Sequence, residues 1–239
     1  MKYLFLFVFA TSLFSCRFIG GKRVRGNGDL VTRERSVSGF EGVDNYGSFD
    51  ITLVPAASAS VKVEAEENLQ QYIETYVSDN KLQIRTADGY NLRPRRDMKI
   101  TVFSPVFRTI TTNGSGSIVG QGMLNTNNAD VSLKVAGSGN IEVEMNAERI
   151  RSEIAGSGNI SVKGTSKRFE GGVYGSGNIR AGNLQADDSK VEIAGSGNVD
   201  VHANRKLDVS IMGSGEVKHR GSAQVRTSIN GSGSVVKVD

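Results

Sequence analysis

One cysteine, two histidines, three prolines and no tryptophan occur in 239 residues. A single thiol excludes an internal disulfide, and Cys16 with His202 and His219 is too small a set for a cysteine-rich zinc site or a Cys–His catalytic pair. No cofactor and no metal are expected. Aromatic residues are only 7% of the chain, so the core has to be built from small aliphatic side chains. Lys and Arg number 29 against 25 Asp and Glu, a net charge of +4, which is no signature of a nucleic-acid binder. The longest apolar run, Leu4 to Cys16, is about a dozen residues where a spanning helix needs around 20. It predicts no permanent membrane helix.

Glycine is abundant, at 29 residues, and it is periodic. Gly-Ser-Gly begins at Gly114, Gly137, Gly156, Gly175, Gly195, Gly213 and Gly231, and closes at Gly116, Gly139, Gly158, Gly177, Gly197, Gly215 and Gly233. Two positions before each stand Thr112, Val135, Ile154, Val173, Ile193, Ile211 and Ile229; four positions after its first Gly stand Ile118, Ile141, Ile160, Ile179, Val199, Val217 and Val235. Around these columns apolar and polar residues alternate, the pattern of strands with one buried face. A repeat of about 18–20 residues at roughly 3.3 Å each makes a closed path near 60 Å, one turn of a β-solenoid. The fold predicted is therefore all-β: stacked coils of a parallel β-helix, aliphatic ladders inside, and glycines at the sharp corners. Asn140, Asn159, Asn178 and Asn198 follow four successive corners and invite a stacked amide ladder, or else an exposed polar stripe.

The first segment reads as a signal peptide over 1–15. Leu13-Phe14-Ser15-Cys16 resembles the bacterial lipobox, which makes Cys16 the expected lipidation site and 16–25 a lipidated tether. The partner this implies is a membrane, held through the lipid. The remainder, 26–239, divides into atypical N-terminal coils and a cap at 26–107 and regular repeats at 108–239. Gly26-Asn27-Gly28-Asp29-Leu30-Val31 and Gly47-Ser48-Phe49-Asp50-Ile51 look like degenerate coils. Strands are predicted at Ser60 to Glu64, Lys81 to Arg85 and Met98 to Phe103. Leu69, Tyr72, Ile73 and Tyr76 fall on one helical face, which predicts a short amphipathic helix within Glu66 to Val77 capping the tube, with Tyr72 and Tyr76 as an alternative binding platform.

Gly39-Phe40-Glu41-Gly42-Val43, Gly47-Ser48-Phe49-Asp50-Ile51 and Val63-Glu64-Ala65-Glu66-Glu67-Asn68-Leu69, followed by the Gly-Ser-Gly-Asn-Ile series, resemble the head GIN domain family, whose members are called "putative autotransporter adhesins". The resemblance spans about 26–239 and includes a lipoprotein-like leader of the Bacteroidetes type. It implies a right-handed parallel β-helix exported to the cell envelope, as an outer-membrane lipoprotein facing the periplasm or the cell surface.

Chemistry is sparse. His202 and His219 follow their corners by seven and six residues, which puts them on opposite faces. Glu142, Glu144, Glu153, Glu192 and Asp200 alternate with Val or Ile and read as a solvated outer face, although Glu142 and Glu144 have the residue type of a paired-carboxylate glycosidase. Arg93, Arg95, Arg96 and Lys99 form a basic cluster suited to an anionic glycan or to guarding a strand edge. The expected function is a lipid-anchored, non-enzymatic adhesin-like module that binds a glycan or envelope protein; the alternative is a polysaccharide lyase or hydrolase on the same scaffold.

Overall fold

The computed structural model describes residues 21–238. The leader, Cys16 and the start of the tether lie outside the described residues. The N-terminal part contributes β1 (Lys22–Arg25), β2 (Leu30–Ser36), β3 (Gly42–Gly47), β4 (Asp50–Pro55), β5 (Ser60–Glu66), β6 (Ile73–Ser78), β7 (Lys81–Thr86), β8 (Tyr90–Arg93) and β9 (Lys99–Ser104). Beyond it come β10 (Thr109–Gly114), β11 (Ser117–Leu124) and β12 (Val131–Gly137), then four long strands that each run around the bend of a coil: β13 (Asn140–Gly156), β14 (Asn159–Gly175), β15 (Asn178–Gly195) and β16 (Asn198–Gly213). The last coils are β17 (Glu216–Arg220), β18 (Gln224–Gly231) and β19 (Ser234–Lys237).

The strands stack as a β-solenoid of about seven turns. Pairing is parallel and in register: Gly47, Gly114, Gly137, Gly156, Gly175, Gly195, Gly213 and Gly231 lie one above another. Identical register follows from the period, because a one-residue slip would turn every aliphatic side chain of a coil outward. Val135, Ile154, Val173, Ile193 and Ile211 form one buried column, and Ile118, Ile141, Ile160, Ile179, Val199 and Val217 form another on the facing wall.

At the corners the first glycine of every Gly-Ser-Gly has a positive φ, for example +135° at Gly156. A Cβ on Gly156 would lie inside contact distance of the Gly137 carbonyl oxygen in the coil below, and one on Gly158 would meet the Gly139 carbonyl oxygen and, at 2.6 Å, a methyl of Val135. The same oxygens accept the Ser157 N–H at 2.9 Å and the Asn159 N–H at 3.1 Å. Past each corner the asparagines stack: the Asn159 Nδ2 donates to Asn140 Oδ1 at 2.8 Å, Asn178 to Asn159 at 3.0 Å and Asn198 to Asn178 at 3.0 Å. Ser117 and Glu216 bound this row, the latter through its backbone N–H on Asn198 Oδ1 at 3.3 Å. The amides thus satisfy one another on a half-exposed edge.

Three expectations for the N-terminal part need correction. Glu66 to Val77 is not an amphipathic helix: only Gln70–Tyr72 makes a single 3-10 turn, and Ile73–Ser78 is β6. Two periodicities overlap there. Ile73, Thr75 and Val77 also alternate with period two, and Asp79 and Asn80, with φ of 51° and 60°, close a tight hairpin onto β7. Positive φ at both turn residues matches the right-handed strand twist, so hairpin pairing overrides the helical pattern. Lys22–Arg25, expected within the tether, is β1, paired in parallel with β8. Gly26 to Val31 is not an early coil, since β2 pairs antiparallel with β5. Gly47 to Phe49, in contrast, is a corner in register with Gly114, and the Phe49 side chain is buried. β5, β7 and β9 lie within two residues of the strands predicted for them.

The cap therefore closes the tube with antiparallel strands. β6 continues one wall beneath β7 and β3, and β5 with β2 continues the other beneath β9 and β4.

His219 stands at the far end of the column that contains Val201 and is buried, with no hydrogen-bond partner at Nδ1. Burial pushes its pKa below the ordinary 6.5, and the charge of Lys237 pushes the same way. A base whose folded pKa is depressed binds fewer protons folded than unfolded, so stability is full above about pH 6.5 and declines as pH falls below it. His219→Val is expected to flatten that decline; comparing Tm at pH 7.5 and pH 5 for both proteins checks it.

Candidate binding site

Where the solenoid meets its cap, β3, β7 and β6 lie side by side and present a small outward face. Alternation decides its membership: Val43, Leu82 and Ile84 point into the tube, so Asp44, Tyr46, Gln83 and Arg85 point out. Antiparallel register sets Tyr76 opposite Gln83 and Glu74 opposite Arg85. The result is two rows, Asp44–Gln83–Tyr76 and Tyr46–Arg85–Glu74.

Polar contacts cross-link this face. The Gln83 amide donates to Asp44 Oδ2 at 3.0 Å, and Lys81 Nζ is 3.6 Å from the same oxygen. Arg85 Nε donates to Glu74 Oε2 at 2.7 Å and its Nη1 to Asp88 Oδ1 at 3.2 Å. The Glu74 bond, with help from Asp88, raises the Arg85 pKa above its usual value. The guanidinium carbon also lies 5.7 Å from the Tyr76 ring centroid, within cation–π range. Tyr46 and Tyr76 remain 43% and 42% exposed, each with an apolar ring body and a polar hydroxyl open to solvent. Together with Thr86 they border an open cleft of about 540 Å3. A second depression of about 260 Å3 shares Gly47 and Thr86 with it and is edged by Tyr90, whose ring lies 4.4 Å from that of Tyr72. Four of the five tyrosines among the described residues thus gather at the cap, with Tyr174 the exception.

Of the side chains considered from the sequence as a platform, Tyr76 stands on this face while Tyr72 is half-buried against Tyr90; Leu69 and Ile73 are core. Tyr46, Gln83 and Arg85 escape a sequence reading, because their strands are joined only by tertiary pairing. The available signal was the position of Tyr46 directly before a corner glycine, an outward site that Tyr174 also occupies.

The carboxylates named from the sequence are spread over both walls. Glu142, on one wall, lies 3.5 Å from Lys163, and Glu153, on the other, lies 3.1 Å from Lys134. Glu144 pairs in register with Lys163, while Glu192 lies on the outer face opposite Ser210. Glu153, Glu170 and Glu192 all line a notch of about 50 Å3, with Gly172 standing between Glu153 and Glu192 in their column and Arg151 and Lys190 beside them. His202 faces outward and contacts Asn204 at 3.0 Å, whereas His219 faces inward, so the two rings are on opposite faces. No cluster of metal-ligating side chains occurs among the described residues. Arg93, Arg95, Arg96 and Lys99 are exposed along β8, β9 and the link between them, where the Arg95 N–H donates to Glu66.

The described residues thus form a parallel β-solenoid with an aromatic cleft at its capped end. The family described as "Putative auto-transporter adhesin, head GIN domain" matches residues 39–223, and the chain belongs to it. Three solved structures are similar along nearly the whole length. A "putative lipid binding protein" from Parabacteroides distasonis is 31% identical, with a TM-score of 0.76 over 91% of this chain and 100% of that one. A "putative adhesin" from Bacteroides fragilis is 24% identical, with a TM-score of 0.83 over 90% and 100%. One from Parabacteroides distasonis is also 24% identical, with a TM-score of 0.76 over 91% and 100%. The two at 24% speak for the fold alone. No curated protein matches the chain.

Proposed function

We propose that this protein is a non-enzymatic, adhesin-like module of the cell envelope, anchored through lipid on Cys16, and that it binds an uncharged glycan in the Tyr46–Tyr76 cleft. The observation that carries the reading is the pair of exposed tyrosines flanking a guanidinium already occupied by two carboxylates. Two strand spacings and two residues put Tyr46 and Tyr76 about 12 Å apart at their Cα atoms, a span suited to two or three sugar rings. Aromatic faces stack on the apolar side of a sugar, while the Gln83 amide and the Arg85–Glu74–Asp88 network meet its hydroxyls. Because Arg85 is neutralised, an anionic ligand gains little there and would meet Glu74 and Asp88.

Binding to an array of neutral and acidic oligosaccharides tests the site. Neutral glycans are expected to be retained, and Tyr46→Ala or Tyr76→Ala to weaken retention tenfold or more with an unchanged circular dichroism spectrum, since both rings are exposed. Retention only of acidic glycans, or equal retention by the variants, overturns the site. Fractionation of Cys16→Ala tests the anchor separately: release from the membrane is expected, and unchanged fractionation refutes it.

A further inference from the structure

The two ends of the solenoid are finished differently. At the cap the strand edges belong to β2 and β6, and β2 has Arg33, Glu34 and Arg35 among its residues, charges of the kind that discourage edge pairing. The opposite end carries fewer charges, Arg226 in β18 and Lys237 in β19. Among the described residues β18 pairs only with β16 and β19 only with β17, which leaves one long edge of each without a strand beside it. The aliphatic columns also end here in the open: Ile229, which continues the Ile193–Ile211 column, is 43% exposed, and Val225 and Val235 are only partly buried. An unpaired edge beside an open apolar column is a template for another strand.

We propose that β18 pairs antiparallel with β18 of a second copy, joining two solenoids end to end about a two-fold axis at Thr227. The sequence Gln224-Val225-Arg226-Thr227-Ser228-Ile229-Asn230 is close to a palindrome in its side-chain character. Centred on Thr227, antiparallel pairing sets Val225 of one copy opposite Ile229 of the other, Arg226 opposite Ser228 and Gln224 opposite Asn230. Every tube-facing residue meets a tube-facing residue, the apolar columns run on from copy to copy, and Arg226 never faces itself. That last point matters because like charges directly opposite one another destabilise a strand pair. A two-fold contact of this kind is closed, so it ends at two copies. Centring half a residue away, between Thr227 and Ser228, would set inward side chains against outward ones, and the pleat forbids it.

A consequence is bivalence. Seven coils at about 4.8 Å give each rod a length of about 35 Å, and end-to-end pairing places the two caps at opposite extremes of an object about twice as long.

The test uses the full-length protein purified from membranes in detergent. Thr227→Cys puts a thiol on the two-fold axis, where it faces its own symmetry mate. Mild oxidation is expected to give a disulfide-linked dimer on a non-reducing gel, at several-fold the yield of the wild-type chain and of Ser210→Cys, one coil further in. Thr227→Lys sets like charges face to face, and is expected to convert a sedimenting dimer into a monomer with unchanged circular dichroism, since the position is exposed. The proposal is overturned by a wild-type chain that sediments as a monomer at tens of micromolar, by a head-to-tail ladder of larger species, or by Thr227→Cys cross-linking no better than Ser210→Cys.

Discussion

Gly156→Ala is expected to destabilise the protein by about 3–5 kcal/mol, while Ser157→Ala at the same corner stays within about 0.5 kcal/mol. Two independent costs add at Gly156. Its φ of +135° lies where residues with a Cβ are strained by roughly 1–3 kcal/mol. The new methyl would also collide with the Gly137 carbonyl, a backbone atom that already accepts the Ser157 N–H and cannot swing aside as a flexible side chain can. Relief requires the coils to separate locally, which breaks the hydrogen bonds and the apolar column in the same place. Urea unfolding of both variants gives the comparison. A loss below about 1 kcal/mol for Gly156→Ala would show that the corner is not sterically closed. Because each coil touches only its neighbours, a defect in mid-stack should also split the transition, with the two halves unfolding at different urea concentrations.

Phe169→Ala is expected to cost about 3–5 kcal/mol, the usual loss for a buried phenylalanine. Phe169 is 1% exposed, the bulkiest member of a column whose neighbours are Ile150, Ser189 and Leu207. Its size is matched locally. In the adjoining column Gly171 stands where Val191 and Val209 stand in later coils, and the ring edge reaches to 3.1 Å from the place a Gly171 Cβ would take. The ring therefore fills the volume that glycine leaves. Gly171→Val alone is expected to destabilise by overpacking, about 1–3 kcal/mol. Phe169→Leu with Gly171→Val reproduces the Leu207–Val209 arrangement and should recover most of either single loss. Strict additivity of the two changes in denaturant unfolding would show that the side chains do not share that space.

Which parts of this architecture can be read in advance depends on how local the cause is. The corner glycines, the Ile and Val columns and the Asn row are visible in the chain because every coil repeats the same contacts at the same spacing. Each coil's environment is a copy of its neighbour's, so one pattern repeated seven times identifies itself. Leu69, Tyr72, Ile73 and Tyr76 show the reverse. Their spacing fits a helix and the same stretch alternates as a strand, and only the Asp79–Asn80 hairpin and the open wall of the tube beneath β3 select between them. Tyr72 was expected to share the fate of Tyr76, yet one packs against Tyr90 and the other faces solvent.

The periodic sequence by itself determined that the chain coils, how long each coil is, and which side chains lie inside, since these follow from backbone sterics and burial repeated at a constant interval. Only the tertiary structure decided which exposed side chains share a face. Tyr46, Arg85 and Tyr76 come from three strands paired partly in parallel and partly antiparallel, and the exposed edge of β18 is defined by which strand does not lie beside it. Both are properties of neighbours distant in sequence, and no local preference encodes them.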